Sequence, residues 1–350
     1  MPDRSTPRLL ATVLVAVGLF IAVSLPVPYV IESPGPVFNV LGSAGDGPLV
    51  TVSGAPTFAT TGQLDLTTVS QNGGPGNRVL LTELVAASLR STDAVVPRAL
   101  LYPEGTTAAQ VDADNTAQMA QSQDAAAIAA LRHLKLTVTL TVTVGPIEPG
   151  SPADSQLKSD DRILSVDGTA VSTGEQVRAA VTKHKPGEVV VFVVERAGSK
   201  VTVPLTTKAS TDSGPVRAVV GFTPGVGYTS PVTVTIKLDD VGGPSAGLMF
   251  TLGIIDKLTA VQETGGKHIA GTGTMDENGK VGAIGGIRQK MAAARADGAT
   301  IFLVPASNCD EAMLQVPAGL QLVKVTDVDD ALTGLAAAVS GQGTAPSCSS

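Results

Sequence analysis

The spacing of apolar and polar positions changes character several times along this 350-residue chain. An uncharged apolar run from Leu9 to Leu25 comes first, preceded by Arg4 and Arg8. It is near the minimum length for a bilayer-spanning helix, and Val27 to Ile31 can extend it. Basic residues before the run and none just after it predict a cytoplasmic N-terminus, a single pass through the cell membrane and the bulk of the chain on the extracytoplasmic side. A cleaved signal peptide is the competing reading, because "AVS" at 22–24 loosely resembles a cleavage site; the length of the run favours an uncleaved anchor. After it, "ESPGPVFNVLG" and "GQLDLTTVSQNGGPGN" mix strand formers with turn formers and read as a β-rich connector.

From Thr107 to Leu134 the chain is rich in alanine, lacks Gly and Pro, and repeats apolar residues at helical spacing, which predicts one long helix. The period then drops to two over Leu136 to Val144, where Leu or Val alternates with Thr, the pattern of a half-buried strand. The next stretch reads as a strand, a turn-rich loop, the strand "RILSVDG", a short helix "TGEQVRAAVTKH" and the strands "EVVVFVVER" and "KVTVPL". Its segment "GSPADSQLKSDDRILSVDGTAV" resembles the PDZ domain of bacterial secreted proteases. That resemblance covers about residues 135–208 and implies binding of extended peptides or chain ends by strand addition. No Gly-apolar-Gly-apolar loop is evident near Leu136 to Val144, where a terminal carboxylate would be held, so no ligand residues are assigned to this domain.

Strands and helices alternate from about Gly214 onward. "VTVTIKL", "GGPSAGLMFTLGIIDKL", "HIAGTGTMDENGKVGAIGG", "IRQKMAAARADGA", "TIFLVPASN" and "LQLVKV" read as strand, helix, hairpin, helix, strand and strand, an α+β pattern.

Composition narrows the chemistry. The net charge is −7, tryptophan is absent and aromatic residues make up 3%, which offers neither a phosphate-binding face nor a base-stacking platform, so nucleic acid is set aside. No G-x-x-x-x-G-K-[ST] segment occurs, so no ATP is expected, and no cluster with metal-ligand spacing is evident; no cofactor is expected. Cys309 and Cys348 are too far apart for a CxxC metal site. Outside the cell a bond between them would tie down the polar tail, although such tails are usually untied.

The candidate chemistry centres on Ser245, surrounded by Gly242, Gly243, Pro244 and Ala246. A serine hydroxyl needs a base to become a nucleophile. Of three histidines, His133 and His184 belong to other modules and read as surface residues; His268 is the only one near enough to consider. A lysine can serve if burial lowers its pKa. In "GGIRQKMAAARADGA" the positions Ile287, Lys290, Met291 and Ala294 form one helical stripe, with Arg288 and Arg295 on another face. Lys290 therefore aims inward, where its options are to snorkel to water or to act as a base.

"GGPSAG", "GTGT" with Thr272, and "GxVGxIGGIxxK" ending at Lys290 resemble, in that order, the proteolytic domain of Lon-type serine peptidases. Together with the apolar N-terminus and the PDZ-like module, the chain resembles the exported PDZ–Lon-like (YlbL-type) membrane peptidases. The resemblance implies Ser245 as nucleophile, Lys290 as general base and Thr272 as the residue orienting the lysine amine. Helix formation starting at Ser245 would add free N–H groups and the helix dipole, with the Ser245 N–H and one from Asp240 to Gly243 as expected oxyanion donors.

The expectation is thus an α+β chain with an N-terminal anchor (1–31), a β-rich connector with a long helix (32–134), a PDZ domain (135–208), a Lon-type proteolytic domain (214–338) and a polar tail (339–350). Its function would be ATP-independent hydrolysis of flexible or misfolded exported polypeptides, as general quality control or as processing of a few targets. The resemblance also admits a homo-oligomer. The alternative from another class is a non-catalytic PDZ scaffold recruiting exported proteins at the membrane.

Overall fold

A strand that is apolar at every position belongs between two covered faces, and "IFLVP" shows where those faces lead. Ile301 and Leu303 point into one core with Leu64, Leu66 and Phe250, while Phe302 and Val304 point into another with Ile287 and Met291. The computed structural model, which describes residues 13–14, 24–45, 47–210, 214–238 and 241–348, places this strand in a six-stranded sheet. Its order is Gln321–Val325, Ile301–Pro305, His268–Gly271, Gln63–Asn72, Tyr29–Asn39 and Ala94–Pro97. The first four strands run parallel and the last two pairings are antiparallel. The helix Gly247–Leu258 covers one face and the helix Ile287–Asp297 the other.

Three of the six strands come from the segment expected to be a connector, one of them starting at Tyr29 within the end of the expected anchor. Its residues alternate between the two faces: Leu64 and Leu66 enter the first core, whereas Asp65 and Thr67 are buried on the opposite side. Half of the sheet in the C-terminal domain is therefore supplied by residues that precede the PDZ-like module. The boundary at 134 also falls elsewhere in space, because the long helix Ala108–His133 packs its alanines, Ala126, Ala127, Ala129 and Ala130, into that same core. Thr107 caps it, accepting from the Gln110 N–H.

The second sheet is antiparallel, in the order Ser199–Thr206, Val189–Arg196, Arg162–Val166, Thr139–Ile147 and Phe222–Thr229. The helix Gly174–Val181 adds Val177 and Val181 to its core. This module does not close at 208 as expected: its edge strand Phe222–Thr229 lies beyond that boundary, paired with Thr139–Ile147.

The expected anchor over Leu9 to Leu25 lies almost wholly outside the described residues. Among those described, no helix is long and apolar enough to cross a membrane. Its expected extension through Val27 to Ile31 is corrected: Pro26–Val27 and Tyr29–Asn39 are strands, the second paired on both sides. The tail is fastened as well. Cys309 and Cys348 form a disulfide, and the Lys324 N–H donates to the Pro346 carbonyl at 2.8 Å.

Candidate active site

The loop before Gly247–Leu258 is shaped by close approaches. A Cβ on Gly242 would lie 2.5 Å from Asn115 Cβ, and Gly243 has φ +87°, a backbone that favours glycine. The Gly243 N–H donates to the Asn115 carbonyl at 3.1 Å, and Ser122 Oγ donates to the Pro244 carbonyl at 3.0 Å. The long helix thus holds this loop on one side. On the other, the Ser245 carbonyl accepts from the Gly273 N–H at 2.9 Å and from Thr272 Oγ1 at 3.0 Å, while the Leu248 N–H donates to the Gly273 carbonyl. Helix formation begins later than expected, at Gly247 with Ala246 as its cap, because Ser245 is committed to these contacts. Of the expected oxyanion donors, the Gly243 N–H is occupied by the Asn115 carbonyl, and Asp240 lies outside the described residues.

Ile287, Lys290, Met291 and Ala294 are all buried, as the stripe required. Gly286 starts the helix at φ +68°, where a Cβ would meet Val69 Cγ2 at 2.6 Å. Arg288 and Arg295 leave on another face, toward Gln315 and the Ala318 carbonyl. Lys290 does not snorkel: it is 3% exposed, with Nζ 2.7 Å from Ser245 Oγ and 3.0 Å from Thr272 Oγ1. Burial pushes its pKa down to about 8, since an ammonium loses its hydration there. Thr272 Oγ1 donates to the Ser245 carbonyl, so its lone pairs face the amine. An amine that gives one N–H to Thr272 keeps its own lone pair for the Ser245 hydroxyl.

The meeting point follows from topology. Thr272 directly follows the parallel strand His268–Gly271, and both covering helices begin near that carboxyl end. Ser245 arrives on one layer, Lys290 on the other, and Thr272 joins them at the rim between.

The histidines go elsewhere. His268 Nε2 pairs with the buried Asp65, and Asp297 Oδ2 stands 3.5 Å away. His133 contacts Asp329 at 3.0 Å and His184 contacts Asp167 at 2.7 Å. Asp65, His268 and Asp297 each bring a potential metal-ligand atom within 4.8 Å of the others. Only the fold collects this trio, because Asp65 is about two hundred positions from its partners in sequence.

A second concave feature lies on the antiparallel sheet. Between the helix Gly174–Val181 and the edge strand Phe222–Thr229 runs a groove of about 370 Å³, lined by Val177, Val181, Val220, Phe222 and Pro224. At its end the turn Val220-Gly221-Phe222 is tight, since a Cβ on Gly221 (φ +79°) would overlap Ser151 Cβ at 2.1 Å. This turn lies about eighty residues beyond Leu136 to Val144, because the edge strand is the last segment added to this sheet, and its sequence Val219-Val220-Gly221-Phe222 has a single glycine.

Comparison with known proteins assigns both modules. Residues 116–207 match the PDZ domain, and residues 239–337 match the Lon protease (S16) C-terminal proteolytic domain. The Lon protease of Campylobacter concisus (strain 13826) is 36% identical over 95 residues, covering 26% of this chain and 11% of that protein. The Lon protease of Clostridioides difficile (strain 630) is 36% identical over 94 residues, covering 26% of this chain and 12% of that protein. The matched stretch thus spans about a tenth of the length of these relatives. Among solved structures, the PDZ domain of an SdrC-like protein from Listeria monocytogenes aligns with 20% identity and a TM-score of 0.22, covering 24% of this chain and 86% of that one. A solution structure from Geobacillus thermodenitrificans aligns with 28% identity and a TM-score of 0.19, covering 20% and 82%. The chain carries a PDZ domain and a serine-peptidase domain of the Lon type.

Proposed function

We propose that this chain is a membrane-anchored, ATP-independent serine endopeptidase that acts on flexible or misfolded polypeptides on the exported side of the membrane. One observation carries the reading: a buried lysine amine, with its pKa lowered to about 8, stands 2.7 Å from the hydroxyl of Ser245. In this reading Lys290 Nζ takes the Ser245 proton as Oγ attacks the peptide carbonyl carbon. The resulting alkylammonium returns that proton to the leaving amine as the C–N bond breaks, and a water molecule then hydrolyses the acyl-enzyme with Lys290 again as base. Thr272 orients the amine. The helix that opens at Gly247, two residues from Ser245, favours the negative charge that develops on the carbonyl oxygen.

The PDZ groove would select extended segments by strand addition to Phe222–Thr229. The basic residues and apolar run before Leu25 support the anchor. The Cys309–Cys348 disulfide supports the exported side, since such bonds persist in oxidising compartments.

A serine-reactive phosphonate probe tests the site directly. The full-length protein in membranes is expected to carry one adduct, on the peptide containing Ser245, with none in Ser245→Ala and strongly reduced labelling in Lys290→Met. An unlabelled Ser245 in protein whose melting transition is intact would favour the scaffold reading instead.

A further inference from the structure

One flank of the molecule carries exposed apolar side chains, and it begins where the apolar run Leu9 to Leu25 ends. The Leu81 N–H donates to the Leu25 carbonyl at 3.2 Å, and Pro26–Val27 pairs with Val79–Leu80. The chain leaving that run is thus fastened to the start of the helix Leu81–Ser88. This helix rests on a small core of its own, made by Ile31, Val79 and Ala87 with Leu84 packed against it. A solvated helix would turn charged residues outward, yet here Val85 is 51% exposed and Leu89, one turn further on, is 84% exposed. The acidic residue of the helix, Glu83, is turned back to cap it, accepting from the Leu80 N–H at 2.8 Å.

Two residues beyond Leu89 the flank opens into a cavity of about 560 Å³, lined by Ser91 and Thr92 on one side and by Arg288, Arg295, Gln315 and Val316 on the other. Among the described residues no carboxylate lines it, in a chain whose net charge is −7. Asp93, next to Thr92, pairs with Arg90 at 3.4 Å. The two guanidiniums have donors to spare. Arg288 Nη2 reaches Gln315 Oε1 and the Ser91 carbonyl, while its buried Nε has no hydrogen-bond partner. Arg295 gives Nε to the Ala318 carbonyl, and neither arginine has a carboxylate partner among the described residues. Unspent donors at a cavity without carboxylates call for an anion. Apolar surface returns beyond it, where Leu314 is 75% exposed.

The order along the flank is therefore apolar run, apolar helix face, cationic cavity and apolar rim. Such an order suits a bilayer surface, where apolar side chains meet the acyl boundary and guanidiniums meet the phosphates above it. Continuity favours lipid over a protein partner: Leu89 lies only about 12 Å along its helix from the residue bonded to Leu25. Arg288 and Arg295 also belong to the helix that carries Lys290 on its other face.

We propose that this flank lies against the exported-side leaflet of the membrane, with Val85 and Leu89 at the acyl boundary and the phosphate of an anionic phospholipid held between Arg288 and Arg295. The proposal rests on the anchored, exported-side reading and adds to it a lipid headgroup site and a fixed seat for the proteolytic domain.

The chain has no tryptophan, so an introduced one is a lone reporter. Full-length protein carrying Leu89→Trp, or Val189→Trp as a control at an exposed residue of the PDZ sheet, is reconstituted in phosphatidylcholine vesicles with and without phosphatidylglycerol. Part of the phosphatidylcholine carries brominated acyl chains. Emission from the Leu89→Trp protein is expected to be blue-shifted and quenched about twofold or more by the bromines, most strongly with phosphatidylglycerol, and that from the Val189→Trp protein to be unquenched. Adding Arg288→Gln and Arg295→Gln is expected to abolish the part that depends on phosphatidylglycerol; Arg295→Gln alone serves where the double variant fails to fold. Unquenched, water-like emission from the Leu89→Trp protein in vesicles that retain it would overturn the seat and leave the anchor standing. Release of the protein from the vesicles by a carbonate wash would remove both, while Ser245-dependent hydrolysis of an unfolded protein is read separately. Quenching indifferent to the arginines would overturn the headgroup site. A blue shift that grows with protein density and escapes the bromines would assign the flank to a second copy. Arginine-dependent stabilisation by inorganic phosphate in detergent, without quenching in vesicles, would make the cavity a small-anion site instead.

Discussion

Lys290 is held where its charged form is disfavoured, and two measurable consequences follow from that one fact. With a pKa near 8, the fraction of neutral amine rises as the pH is raised through that value. Hydrolysis, followed as kcat/KM of the free enzyme, is therefore expected to climb to a plateau above about pH 8. Lys290→Arg is expected to be inactive at every pH, because a guanidinium does not give up its proton; a fully active Lys290→Arg would exclude this lysine as the base. The second consequence concerns stability. In the unfolded chain the lysine titrates near 10.5, so between about 8 and 10.5 the unfolded state binds more protons and folding gains stability as the pH rises. Below that window the folded protein carries the whole penalty, on the order of 3 kcal/mol. Lys290→Met is thus expected to melt higher than wild type at pH 7, with the difference shrinking as the pH approaches 10.5. Equal melting temperatures at pH 7 would mean that the lysine is already compensated.

At the scale of elements, the lysine helix and the long helix differ in how much of their role was legible. The stripe Ile287, Lys290, Met291 and Ala294 marks a buried face by spacing alone, and all four are buried. The long helix was equally plain as a helix, from Thr107 to Leu134, yet its partner was not: alanines at helical spacing announce a face without naming what covers it. What covers it is the proteolytic core, and its polar residues Asn115 and Ser122 brace the Ser245 loop. Ser122→Ala is expected to free the Pro244 carbonyl and lower kcat by about tenfold, with stability changed by only about 1 kcal/mol. An unchanged kcat would mean that the Asn115 contact alone suffices to hold the loop.

For the whole molecule, local patterns showed the strands and helices but not which sheet each strand joins. "GQLDLTTVSQN" reads as strand in either setting; its place beside His268–Gly271 depends on a parallel pairing some two hundred residues distant in sequence, which no local period encodes. The same reason hid the Gly221 turn, displaced because the PDZ sheet takes its edge strand from beyond residue 208. Two cysteines separated by 39 positions in sequence admit a bond outside the cell without fixing it, and here the bond forms. Closing a loop of that size is worth about 4 kcal/mol in chain entropy, so dithiothreitol, or Cys348→Ser, is expected to lower the melting temperature by several degrees. By contrast the small neighbours of Ser245 and the inward face of Lys290 are local features legible in the sequence, while Thr272 and the grouping of all three come from the resemblance of three short motifs to Lon-type peptidases. The central claim is that these three residues hydrolyse peptide bonds, and the most direct measurement is proteolysis of an unfolded protein by wild type and by Ser245→Ala at equal concentration and with matching melting curves. The account predicts turnover by the wild type and none by the variant; equal turnover by both would contradict it.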